Sequence, residues 1–358
     1  MRFEPFLLED WLIECLGARI DLDHSGAPAP WRDGLAPQVE DSGLNEFEVE
    51  DRFYKAISST YRVRRSRIAL TSGAQSANYA FLDACLGRGA KVMVEHPTYA
   101  PMRACAKALC AQAMPLPRPR EKGFTVDMAA LDEGLRQGAQ AIILTNLHNP
   151  SAKALRDGEM EAILEAAEDK GALVLVDEVY REMCPRPPKA AFRLSGAGVS
   201  TDGMSKLFGL GKLRVGWLIG PEEVAERVNE TRLYSSWHLP SRSMETAIQA
   251  LERKAWFRER ALRIAKVNLP TIMDWAEEEG IEVTEPDGCL HMLVHLPPGT
   301  DDEAFARRLL RRHSTAVCPG RYFGAEGSFR ITFSCDGGTL QEGLGHVAQE
   351  MRRLGQPK

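Results

Sequence analysis

Leu173-Val174-Leu175-Val176-Asp177 is a run of four branched apolar residues closed by a carboxylate. So continuous a run fits a strand buried on both faces, as in a parallel sheet covered by helices on either side. The text around it alternates in the same way. A helical period over 155–170 ends at Gly171, and before it Ala141-Ile142-Ile143-Leu144-Thr145 reads as a strand bounded by Asn149-Pro150. Further upstream, Lys91-Val92-Met93-Val94 and Ile68-Ala69-Leu70-Thr71 are strand-like, with a helical period over 75–86 between them, closed by Gly87. Downstream, Val199-Ser200-Thr201 and Val215-Gly216-Trp217-Leu218-Ile219 read as further strands. Strands alternating with helices predict an α/β fold with a mainly parallel sheet. In such sheets ligands sit outside the carboxyl ends of the strands. Asn149, Asp177 and Lys206 each fall just beyond an apolar run, so the pattern sends them to one edge.

After about residue 250 the texture changes. A long helix is expected over 258–279, then strands at Leu290-His291-Met292-Leu293-Val294 and Phe329-Arg330-Ile331-Thr332-Phe333, with a helix over 301–312 between them and another at the end. This predicts a large domain over 41–250 and a smaller α+β domain formed by 1–40 and 251–358.

The 358 residues carry a formal net charge of -5, which argues against a general nucleic-acid or anionic-membrane surface. The basic clusters Arg62-Val63-Arg64-Arg65 and Arg311-Arg312 lie among other charges and read as solvated surface. No stretch has the length of a membrane span, and the N-terminal text does not read as a signal peptide. Eight scattered cysteines without a C-x-x-C pair point to reduced thiols, and so to the cytoplasm. The eight histidines give no metal-ligand spacing, so no metal is expected.

Ser205-Lys206 with Arg214 eight residues on, Asp177-Glu178-Val179-Tyr180 and Asn149-Pro150 share a chemical logic. A lysine flanked by apolar residues and glycines loses proton affinity, and its neutral amine can hold an aldehyde as a Schiff base. A carboxylate ending a buried strand can keep a pyridine nitrogen protonated. Thr71-Ser72-Gly73-Ala74-Gln75 joins a strand to a helix and offers N–H groups to an anion, and Arg214 can add a guanidinium to the same phosphate. Tyr180 and Asn149 can reach a ring oxygen, and Tyr99 can stack on the ring face. One cofactor needs all of these, pyridoxal 5'-phosphate.

The chain resembles the class I/II aminotransferase family of fold-type I pyridoxal-phosphate enzymes. The resemblance rests on Thr71-Ser72-Gly73-Ala74-Gln75, Pro97-Thr98-Tyr99, Asn149-Pro150-Ser151, Asp177-Glu178-Val179-Tyr180, the stretch from Ser205-Lys206 through Arg214-Val215-Gly216-Trp217, and Phe329-Arg330-Ile331. It implies that Lys206 forms the Schiff base and shuttles the proton at the substrate α-carbon, and that Asp177 faces the pyridine nitrogen. It implies further that Asn149 and Tyr180 hold the ring oxygen, that Ser72, Gly73, Ala74, Ser205 and Arg214 belong to the cofactor site, and that Tyr99 stacks. Arg330 would clamp the substrate carboxylate, with the backbone of Gly26 closing over it. The implied reaction moves an amino group between an α-amino acid and a 2-oxo acid, in a homodimer whose active sites form between subunits.

Three departures stand out. The family's hydroxyl three residues before the lysine is here Gly203, Asn-Pro-Thr-Gly reads Asn149-Pro150-Ser151-Ala152, and residues 39–50 lack the tyrosine lent to the neighbouring subunit's phosphate. Trp11 together with Phe333-Ser334-Cys335 also resembles the branch containing capreomycidine synthase, so a lyase, decarboxylase or cyclase is the alternative reading. A non-catalytic pyridoxal-phosphate-binding regulator is a remote one, as such proteins carry a DNA-binding segment. Arg232, Tyr234 and Trp237 are placed where a neighbouring subunit lines the pocket. Arg232 would favour an acidic substrate and Tyr234 or Trp237 an aromatic one. His148 and His96 adjoin motif residues and are candidates to approach the substrate, whereas His291 reads as part of a packed strand.

Overall fold

The computed structural model describes residues 3–30, 43–110 and 112–354, so the expected boundary at residues 40 and 41 lies outside the described residues. Among the described residues the strands are, in chain order, β1 (Ile20–Asp21), β2 (Ile68–Thr71), β3 (Lys91–His96), β4 (Gln112–Pro117), β5 (Ala139–Thr145), β6 (Leu173–Asp177), β7 (Gly198–Gly203), β8 (Gly216–Ile219), β9 (Val283–Thr284), β10 (His291–His295), β11 (Thr315–Ala316), β12 (Cys318–Pro319) and β13 (Ser328–Thr332). Seven of them form one sheet in the order β2-β8-β7-β6-β5-β3-β4. Strands β4, β3, β5, β6 and β7 run parallel, and β8 lies antiparallel between β7 and β2.

The continuous apolar runs have a simple cause. Side chains alternate across a strand, and here each face has its own core. In β5, Ala141 and Ile143 join residues of the helices Ala74–Cys85 and Ala100–Leu109, while Ile142 and Leu144 join those of Met128–Arg136 and Asp157–Glu168. In β6, Leu175 goes to the first core and Val174 and Val176 to the second. Neither face meets water, so no polar alternation is written into the sequence. Strand β4 is different. It is an edge strand containing Pro115 and Pro117, and sheet edges tolerate the missing N–H groups.

The second sheet, β12-β13-β10-β9, is antiparallel. Met292, Val294, Phe329 and Ile331 pack in one cluster with Phe305 of the helix Asp302–His313 and Leu344 of the helix Gly337–Leu354. The long helix is Lys254–Glu278 and carries Pro270 within it.

The N-terminal segment ties the two sheets together. Strand β1 pairs in parallel with β11, and Leu22 O accepts from Thr332 N at 2.9 Å. Five residues later Ala27 N donates to Lys206 O at 2.8 Å, beyond the end of β7. No helix among the described residues is long and apolar enough to cross a membrane.

Candidate active site

The carboxyl ends of β5, β6 and β7 are neighbours, because these strands are adjacent and parallel. Their following residues bring Asn149, Asp177 and Lys206 to one edge, as the sequence pattern required. Arg330 arrives from β13 and Ser25 from the N-terminal segment. Arg330 Nη1 donates to Asn149 Oδ1 at 2.9 Å, and Lys206 Nζ donates to Ser25 Oγ at 2.8 Å.

Lys206 is only partly exposed, and its Nζ lies 5.6 Å from the centre of the Tyr180 ring. Burial, followed by the charge of Arg330, pulls its pKa down to about 8, while Asp177 pulls the other way. About a tenth of it is therefore a neutral, nucleophilic amine at pH 7, far more than for an exposed lysine. Gly26 backs directly onto this lysine. A Cβ at position 26 would lie 3.3 Å from Lys206 Cα, so a larger residue would press on the amine's own backbone.

Asp177 is 8% exposed, and its carboxylate is held from behind. Asn78 Nδ2 donates to Oδ2 at 2.7 Å, and Val179 N donates to Oδ1 at 3.2 Å. Thr201 Oγ1 donates to Asn78 Oδ1 at 2.7 Å, which fixes the amide so that its N–H faces Asp177. Burial raises the carboxyl pKa, and Asn78, Val179 N and Lys206 counter it only in part. A buried carboxyl of this kind suits a cationic ring nitrogen as partner.

The turn between β2 and the helix Ala74–Cys85 forms a cup of backbone. Gly73 has φ of 103°, and a Cβ there would meet Arg214 Nη2 at 2.8 Å. Arg214 Nη2 donates to Ser72 O at 3.0 Å, so the guanidinium sits at the helix N-terminus where N–H groups are unpaired. A Cβ on Gly216 would come within 2.7 Å of Ala74 N. Gly203, where a hydroxyl was expected by resemblance, would place its Cβ 2.9 Å from Val215 O, so this cup has little room for a serine. Ser205 lies beside the loop that delivers Arg214; its Oγ would be 3.5 Å from a Cβ on Gly211.

At the far side, Tyr180 is 2% exposed, with Ser25 hydrogen-bonded to its hydroxyl, and burial raises its pKa. Tyr99 precedes the helix Ala100–Leu109 and meets Phe6 edge-on at 5.8 Å; its hydroxyl feels the charges of Asp177 and Arg330. Arg330 is 3% exposed. Its Nη2 donates to Asp23 O at 3.0 Å, and its Nε has no partner among the described residues, which leaves a donor for a further acceptor.

Sequence reasoning missed several residues. Asn78 and Ser25 touch Asp177 and Lys206 themselves. Behind Asn149 lies a fully buried pair, Glu95 and Arg118, at 2.6 Å. Glu95 Oε1 accepts from Thr145 Oγ1 at 2.5 Å, and Thr145 Oγ1 accepts from Asn149 N at 3.1 Å, so the pair sets the Asn149 loop. His148 is a brace, with Nδ1 at 2.6 Å from Ser151 Oγ and Nε2 at 2.8 Å from Pro97 O. His96 packs against Gly324. Arg232 is not available to an acidic substrate, because both its terminal nitrogens bind Glu50 at 2.9 Å. Asp21 and Asp23 bring carboxylates together, but His24 bridges them at 2.9 and 3.3 Å, and those hydrogen bonds push its pKa up to about 10.

Residues 42–347 match the family described as aminotransferase class I and II. The chain is 27% identical to capreomycidine synthase of Streptomyces vinaceus, with 96% of this chain and 93% of that protein covered. It is 28% identical to the arginine–pyruvate transaminase of Pseudomonas aeruginosa over 80% of this chain and 75% of that one. A pyridoxal-phosphate-dependent aminotransferase of Streptococcus suis superposes with a TM-score of 0.89 at 25% identity, each chain covered in full.

Proposed function

We propose, from the premise that the chain belongs to the class I and II aminotransferases and uses pyridoxal phosphate, the following division of labour among its residues. Bound, the cofactor supplies an aldehyde that condenses with amines and a pyridinium ring that takes up the electron pair left when the α-proton departs. Lys206 Nζ would be the amine that holds this aldehyde and, once the substrate's amine has displaced it, the base that takes up and returns the α-proton. Asp177, fixed by Asn78, keeps the ring nitrogen protonated. Asn149 and Tyr180 bind the ring oxygen, and Tyr99 covers the ring. Ser72, Gly73, Ala74, Ser205 and Arg214 hold the phosphate end. Arg330 binds the α-carboxylate through its unpaired Nε side, with Gly26 closing over it.

The single observation that carries this reading is the convergence of Lys206, Asp177 and Arg330 from three strands on one edge. The enzyme moves an amino group between an α-amino acid and a 2-oxo acid. A second reading, cyclisation of an amino acid on the same cofactor, is favoured by the end-to-end match to capreomycidine synthase. The exposed apolar residues Phe47, Leu233, Tyr234 and Trp237 support a homodimer that covers them, and the free cysteines support a cytoplasmic location. The two-domain division near residues 40 and 250 belongs to the same proposal.

The test is the visible spectrum of the purified holoenzyme, before and after adding amino acids without an oxo acid. Transamination bleaches the lysine-bound form, and a 2-oxo acid then restores it. Lasting colour with a cyclised product sinks the transaminase reading in favour of the second. Lys206→Ala should bind the cofactor without covalent attachment and lose turnover by roughly ten-thousand-fold. Retained turnover in that variant overturns the assignment of Lys206.

A further inference from the structure

We propose that His291 reads the side chain of the amino-acid substrate and selects one bearing a hydrogen-bond donor. This deepens the aminotransferase reading and rests on it. His291 opens β10 and pairs with Thr332 of β13, and two residues on Leu293 pairs with Arg330. Paired residues of an antiparallel ladder share a face, and so do alternate residues of one strand. His291 therefore stands on the same face of the sheet as Arg330. Its ring meets Tyr180 edge-on, with centroids 5.1 Å apart, and it lies within electrostatic reach of both Arg330 and Lys206.

The imidazole is fully buried, yet neither Nδ1 nor Nε2 has a hydrogen-bond partner among the described residues. Buried ring nitrogens are rarely left so. His148, equally buried, has both nitrogens engaged, and His295 contacts Thr284 Oγ1 at 2.8 Å through Nε2. Closure to solvent does not remove His291 from ligand, because Tyr180 and Arg330 are closed to the same degree. Burial and the two neighbouring cations keep the ring un-ionised, so one nitrogen donates and the other accepts. Protonated Lys206 and Arg330 can only donate. His291 brings an acceptor to that face, and its complement is a hydroxyl, carboxamide or guanidino side chain. A hydrocarbon side chain would leave both nitrogens unpaired.

The test compares wild-type holoenzyme with His291→Phe, which keeps a ring against Tyr180, and His291→Gln, which restores a donor and an acceptor. The α-methyl derivatives of arginine, glutamine and leucine lack the α-proton, so their dissociation constants can be read from the cofactor spectrum without turnover. kcat/KM for the parent amino acids is measured alongside. His291→Phe should weaken the preferred polar ligand by about 10- to 100-fold and leave the leucine derivative within about threefold, with His291→Gln recovering most of the loss. Equal losses for all ligands mean a purely structural histidine and overturn the proposal. No loss for any means that the nitrogens face water only, and overturns it too. Side-chain discrimination in binding without amino transfer to any oxo acid would instead refute the aminotransferase reading while His291 stands.

Discussion

The two ends of the proposed active site, for phosphate and for substrate, are built from different materials. The phosphate end is a cup of backbone, made by Gly73, Ala74 and Gly216 with one exposed guanidinium from Arg214. The substrate end is made of buried side chains, Arg330, Asn149, Tyr180 and His291, drawn from elements far apart in the chain. A cup of N–H groups is generic for phosphate and stays in contact with water, so losing one side chain there leaves the others working. Buried side chains hold one another, so losing one leaves its partners unpaired at full cost. The difference teaches where this enzyme is tolerant and where it is not.

The sharpest way to break that comparison is at Arg330. Arg330→Gln should reduce kcat/KM for amino acids by roughly 100-fold or more, because a buried charge-assisted pairing is lost and Asn149 Oδ1 loses its donor. Steady-state kinetics with cofactor at saturation would show it. Arg214→Ala should do less, weakening cofactor retention about tenfold while leaving kcat near normal once cofactor is in excess. The defect should shrink as salt rises in equilibrium dialysis, since the exposed contact that is lost is one that salt already screens in the wild type. If Arg214→Ala proved the worse of the two, the contrast between the ends would collapse. The mildest probe is pH. With the lysine pKa at about 8, cofactor uptake by apoenzyme should speed up as pH rises toward 8, because the proton leaves and the free amine attacks, and then level off. A rise continuing toward pH 10.5 would show that burial does not act on Lys206 as described.

The same contrast explains what was legible in the sequence. Strands β5, β6 and β7 could be read because two cores on either side of the sheet demand unbroken apolar runs, and the residues just past them fell on one edge. The phosphate cup could be read because glycines and a strand-to-helix turn are local signals. Strand β4, with Pro115 and Pro117 at a sheet edge, gave no such signal, and the helices flanking it, Ala100–Leu109 and Met128–Arg136, went unread as well. Asn78, Ser25, Glu95 and Arg118 were silent for another reason. An asparagine within a helix looks like any other until Asp177, 99 positions away, is packed against it. His291 was read as a packed-strand residue, and it is one; what sets it apart is that its nitrogens have no partner among the described residues.

The N-terminal segment has a consequence in time as well as space. Ser25 meets Lys206 across 181 positions, and Asp23 meets Arg330 across 307. Strand β1 likewise waits for β11, Ile20 pairing with Thr315. A ribosome delivers the early partner of each pair first, so a nascent chain displays the lysine well before the arginine that guards it exists. Contacts of such sequence separation are slow to form. Assembly of the active site is thus among the last acts of synthesis, and a half-made chain has no working copy of it.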